Sequence, residues 1–84
     1  MKIKVTEVRC FDSNIDEQYF IDKIQLLIDS GFHLQKGDTF DVENLTEENA
    51  DYINYKVGER QIFVSSENIE VIYYIELLFP HLFE

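Results

Sequence analysis

The sequence predicts a mainly β domain carrying one helix, of the α+β class, and three observations lead there. Short alternating runs of β-branched and aromatic residues recur along the chain, most clearly between Tyr52 and Val64. One stretch, about 15–30, instead has apolar residues at helical spacing. The length of 84 residues, with 45% from the apolar and aromatic set including seven Phe and five Tyr, provides for one core. Two cores in so short a chain would each bury too little surface to offset chain entropy, so a single domain over 1–84 is expected.

In chain order, residues 2 to 11 read as a strand. Ile3 and Val5 alternate on one phase and Val8 and Cys10 on the other, so a bulge or bend is expected between Val5 and Val8. Asn14-Ile15-Asp16-Glu17 reads as a helix start with Asn14 as N-cap and Glu17 reaching back to it. Phe20, Ile24, Leu27 and Ile28 then form the buried stripe, and Gly31 stands where a helix stops. Gln25 falls off that stripe, and its replacement by Ala is expected to cost almost nothing. Lys36-Gly37-Asp38 is a turn, Thr39–Glu43 a strand, and Asn44–Ala50 a polar loop. Asp51–Val57 and Arg60–Val64 flank Gly58-Glu59, which predicts a hairpin on a type II′ turn, with Ile53, Tyr55, Ile62 and Val64 or their alternates in the core. Ser65–Asn68 reads as one helical turn, Ile69–Tyr73 as a strand, and 74–84 as an apolar extension.

The segment Leu34-Gln35-Lys36-Gly37-Asp38-Thr39-Phe40-Asp41-Val42, followed by the hairpin and the turn-plus-strand of Ser65–Ile72, resembles an SH3-like β-barrel over residues 34–72. The resemblance is one of fold and implies a small antiparallel barrel, with the helix inserted in the first long loop. The aromatic groove by which that fold grips polyproline does not carry over, because the chain has no Trp, has Ser66 or a neighbour where the Pro would be, and has Ile69 where the Tyr would be. Proline-rich ligands are therefore not expected.

Charge excludes several function classes. Seventeen Asp plus Glu against seven Lys plus Arg leave −10, which opposes direct binding to nucleic acid or to an anionic membrane. Cys10 is the only cysteine, so no internal disulfide forms; no apolar run is long enough to span a membrane, and a cytoplasmic location is expected. His33 and His81 have no partner at metal-ligand spacing. Asp38, Asp41 and Glu43 lack the order of a calcium loop and read as solvated charges. No catalytic residue, cofactor or metal is expected; an enzyme or small-ligand site would need Cys10, a histidine and acids to converge in a pocket.

Two surfaces remain. Residues 1–11 sum to +2, while 12–40, 41–66 and 67–84 carry −4 each, and the acids Asp41, Glu43, Glu47, Glu48 and Asp51 are the densest group, with Tyr52 beside them. These residues are expected to meet a protein with a basic surface, such as a nucleic-acid enzyme. The apolar extension offers Phe79, Leu82 and Phe83 as anchors, either in its own core or in a homodimer. The chain is thus expected to be a small acidic interaction protein, similar in type to accessory and inhibitor proteins of phages and mobile elements. The alternative is a structural subunit of a larger assembly.

Overall fold

The computed structural model describes residues 2–11, 14–45 and 50–78, as backbone only at 44, 45, 50 and 51. Strand β1 (Lys2–Cys10) is followed by helix α1 (Glu17–Asp29) and strands β2 (Thr39–Leu45), β3 (Ala50–Val64) and β4 (Asn68–Leu77). The strands form one sheet in the order β1-β4-β3-β2, curled into a half-barrel with α1 packed over part of its inner face. β3 is antiparallel to both of its neighbours, whereas β1 runs parallel to β4. The expected small antiparallel barrel is therefore corrected to an open, mixed sheet. The long connection through α1, β2 and β3 permits this parallel pair, which a tight hairpin would not.

The phase change in β1 is a bulge. Val5 faces Val71 while Glu7 faces Ile72, leaving Thr6 as the extra residue. That one residue lets both Val5 and Val8 point inward although they are three apart, and both are buried.

The helix begins two residues later than its sequence indicates. Asp16 is the N-cap, its carboxylate accepting from the Tyr19 N–H at 3.3 Å, in place of Asn14. Glu17 does not reach back to a cap; its Oε2 accepts from the Val8 N–H of β1 at 3.2 Å. At the other end the Gly31 N–H donates to Ile28 O at 3.0 Å and the Phe32 N–H to Leu27 O at 2.8 Å, a double closure that requires the φ of +98° at Gly31. The turn before β2 is closed by Asp38 N–H to Gln35 O at 2.9 Å, with Gly37 at φ +94°.

The largest correction concerns Gly58-Glu59, which is no hairpin turn. β3 runs straight through it, pairing with β2 over Ala50–Lys56 and with β4 over Tyr55–Val64, and the register shift between Val57 and Glu59 makes Gly58 a bulge. A hairpin folded on Gly58 would satisfy only its own two arms. The continuous strand joins β2 and β4 into one sheet and so pairs more backbone. Gly58 suits this place because the Glu76 carboxylate packs over it, 2.7 Å from where a Cβ would stand. The reversal into β4 comes at Ser65–Glu67, where Ser65 Oγ accepts from the Asn68 N–H at 3.1 Å. It is a bend rather than the helical turn expected there, and β4 continues past Tyr73 to Leu77.

Phe20, Ile24 and Ile28 of α1 pack against Val5, Val8, Val42, Tyr55, Val57, Val71, Tyr73 and Ile75, with Leu34 from the loop after the helix. Tyr55 lies in this core and Ile53 at its margin, as expected, but Ile62 and Val64 are 47% and 72% exposed. Both sit on the inner face, opposite Val71 and Ile69. Their exposure arises because the cover stops at Leu34, whose carbonyl accepts from Arg60 Nη1 at 2.8 Å and from the Tyr73 hydroxyl at 3.2 Å. Burial pushes the Tyr73 phenol above its ordinary pKa, against the opposing pull of Arg60. Among the described residues, no helix is long and apolar enough to cross a membrane.

Candidate protein-binding site

β2 is an edge strand, and its alternation separates two sets of side chains. Phe40 and Val42 turn inward, and Asp41 and Glu43 outward. Across the pair, Asp41 faces Asn54 and Glu43 faces Tyr52, so these four share the outer face. Asn54 Nδ2 donates to Asp41 Oδ1 at 2.7 Å and fixes that carboxylate. Tyr52, directly opposite Glu43, is 67% exposed. The structure thus brings together three of the residues predicted to meet a partner. Glu47 and Glu48 lie outside the described residues, as do Phe79, Leu82 and Phe83. The Asp51 backbone pairs with Asn44, and its side chain is not described.

The helix completes the site. The Tyr19 hydroxyl reaches the outer edge of β2 and donates to Glu43 O at 3.0 Å. This bridge divides the space between α1 and β2 into two open clefts. One, about 230 Å³, is lined by Asn14, Ile15, Asp16 and Ile53 together with Tyr19 and Glu43. The other, about 260 Å³, is lined by Lys23, Leu26, Leu27 and Phe40, with Asp41, Glu43 and Tyr52 at its lip. Leu26 is 59% exposed at this cleft, a large apolar side chain on the otherwise polar side of α1. Asp16, Asp41 and Glu43 stand around the two clefts against one base, Lys23, whose ammonium lies 5.2 Å from the Tyr19 ring centre. The arrangement offers apolar contact within and negative charge at the rim.

Tyr19, Lys23 and Leu26 were not among the residues predicted for a partner. Their spacing of i, i+4 and i+7 marks a second stripe along α1, next to the buried one, and that signal was present in the sequence. Among the described residues the reactive types do not converge elsewhere. Cys10 is half-buried against the core, and His33 is exposed in the loop after α1. Among the described residues no three His, Cys, Asp or Glu side chains form a metal-holding group. No protein-family model matches the chain, and neither does any curated protein or solved structure.

Proposed function

We propose that the protein is a non-enzymatic interaction module that receives a basic segment of a partner protein on the β2–α1 side. One observation supports this most directly: Asp41, Glu43 and Tyr52 stand together at the lip of an apolar cleft lined by Leu26, Leu27 and Phe40. Carboxylates at a rim steer a cationic partner and fix its orientation, while exposed Tyr and Leu side chains supply contact area. From the SH3-like resemblance this reading takes only the curled sheet and the turn at Lys36–Asp38, since the polyproline groove has no counterpart in the sequence. A partner that is itself a nucleic-acid enzyme would present such a basic surface, and occupation of it would compete with the enzyme's substrate.

The test is an NMR titration with an extended peptide of alternating Lys and Val, at several salt concentrations. Shifts at Lys23, Leu26, Asp41, Glu43 and Tyr52, weakening as salt rises, are the expected result. Asp41→Asn with Glu43→Gln should slow association, and Tyr52→Ala should speed dissociation. Binding elsewhere on the molecule, or binding indifferent to salt and to these substitutions, would remove the proposal.

A further inference from the structure

Among the described residues, side chains of α1 reach the backbone at two borders of the sheet. On β1, Gln25 acts as a substitute strand: its Oε1 accepts from the Val5 N–H at 2.8 Å and its Nε2 donates to Ile3 O at 2.8 Å, while Glu17 takes the Val8 N–H. On β2, the Tyr19 hydroxyl occupies Glu43 O. A border that α1 does not reach is β3 beyond the bulge. β2 leaves β3 at Lys56, and from Glu59 to Val64 the only strand beside β3 among the described residues is β4. The Ser65 N–H donates to Asn68 O, across to the β4 side. Alternation then turns the N–H and C=O of Arg60, Ile62 and Val64 to the open side, and those of Gln61 and Phe63 toward β4.

From this border we infer that the chain associates with a second copy of itself, β3 against β3, antiparallel about a two-fold axis at Ile62. In that register Ile62 faces the partner's Ile62 and Arg60 faces the partner's Val64. These are the residues whose backbone groups point outward, and each facing pair exchanges two hydrogen bonds. Ile62 and Val64 expose apolar surface on the inner face and Phe63 on the outer, so pairing buries surface on both sides of the new sheet.

Charge selects a copy over another occupant. At −10 the chain repels itself across most approaches. The stretch Arg60-Gln61-Ile62-Phe63-Val64-Ser65-Ser66 contains no acid, and the adjacent Glu59 carboxylate is held by Lys36 at 3.2 Å. Two such stretches can therefore meet with no carboxylate in the paired strands, Glu70 opposite Phe63 standing one strand further back on β4. Of the usual protections of an exposed edge, 61–64 holds no Pro, no Lys and no bulge, and the guanidinium of Arg60 beside it is engaged by Leu34 O. The surface is separate from the α1–β2 cleft and does not depend on it.

Sedimentation velocity from micromolar to millimolar protein, combined with amide hydrogen exchange over the same range, tests the inference. The expected result is a reversible monomer–dimer equilibrium in which Gln61 and Phe63 amides are protected throughout. Arg60, Ile62 and Val64 amides should gain protection only as dimer accumulates. Ile62→Lys with Val64→Lys sets ammonium against ammonium and against the partner's Arg60, and should weaken the dimer by about tenfold or more while Gln61 and Phe63 stay protected. A chain that remains monomeric at millimolar concentration would overturn the inference. So would a dimer that leaves Arg60, Ile62 and Val64 amides in fast exchange.

Discussion

The two halves of β3 carry the same kind of sequence and meet different fates. Ile53, Tyr55 and Val57 alternate inward on one side of Gly58, and Ile62 and Val64 do the same on the other. The first half pairs with β2, is joined by β4 from Tyr55 onward and lies beneath α1, and Val57 is fully buried. Among the described residues the second has β4 alone beside it and no cover on its inner face beyond Leu34, and Ile62 and Val64 are exposed. Alternation therefore fixes which face a side chain occupies, and the cover fixes whether that face is a core. An apolar face left uncovered in this way is suited to interaction.

The sharpest way to break the comparison is to place the same charge in each half. Val57→Asp buries an unpartnered carboxylate, at more than about 4 kcal/mol, and should leave the chain unfolded by circular dichroism. Val64→Asp, read by urea unfolding at dilutions where the chain is monomeric, should change stability by no more than about 0.5 kcal/mol. Similar losses at the two positions would mean that the halves do not differ in cover.

A second test converts a protected border into an open one. Gln25→Ala strands the Val5 N–H and the Ile3 C=O, at about 1–3 kcal/mol for each group that water cannot reach, and should make association through β1 detectable by light scattering. Gln18, which donates only to Asp22 on the helix surface, serves as the control. If Gln25→Ala proves as mild as Gln18→Ala, side chains of α1 do not guard that edge. Taken alone, the sequence predicts almost no cost at Gln25, because an i+1 neighbour of the buried stripe is solvent-facing on an isolated helix, but here β1 lies against it.

Smaller effects separate the two glycines that flank the covered half. The Gly37 N–H donates to Val57 O and the residue sits at φ +94°, so Gly37→Ala should lower stability by about 1–2 kcal/mol in urea unfolding. At Gly58 a new Cβ meets only the mobile end of the Glu76 side chain, and Gly58→Ala should cost less than about 1 kcal/mol. The reverse order would show that the bulge, not the turn, anchors the strand.

The smallest expected effect is alkaline. Because burial raises the Tyr73 pKa in the folded chain, the neutral phenol stabilises the fold below the ordinary tyrosine value near pH 10, and that contribution fades as pH rises through the raised folded value. Tyr73→Phe should thus flatten the loss of stability above about pH 10, seen in thermal midpoints measured across that range. An unchanged slope would mean that the boundary between covered and uncovered sheet at Tyr73 and Arg60 carries no titrating group.

Much of this molecule is local in origin and could be read from the chain. The bulge after Val5 follows from a change of alternation phase, the helix from Phe20, Ile24 and Ile28, its stop from Gly31, and the turn from Gly37; each depends on a few neighbouring residues and the conformations they favour. The pairing of Asp41 and Glu43 on one strand face belongs to the same class. Tertiary structure alone decided the rest. Gly58-Glu59 satisfies the pattern of a turn and that of a bulge equally, and the choice went to the bulge because β2 and β4, distant in sequence, offered β3 more backbone partners than its own two arms could. Ile62 and Val64 carry the same pattern as Tyr55 and Val57, and only the reach of α1 and of the loop through Leu34 left them exposed. Periodicity has no memory of what lies above it, so burial, edge protection and the cleft between α1 and β2 were set by long-range packing rather than by local sequence.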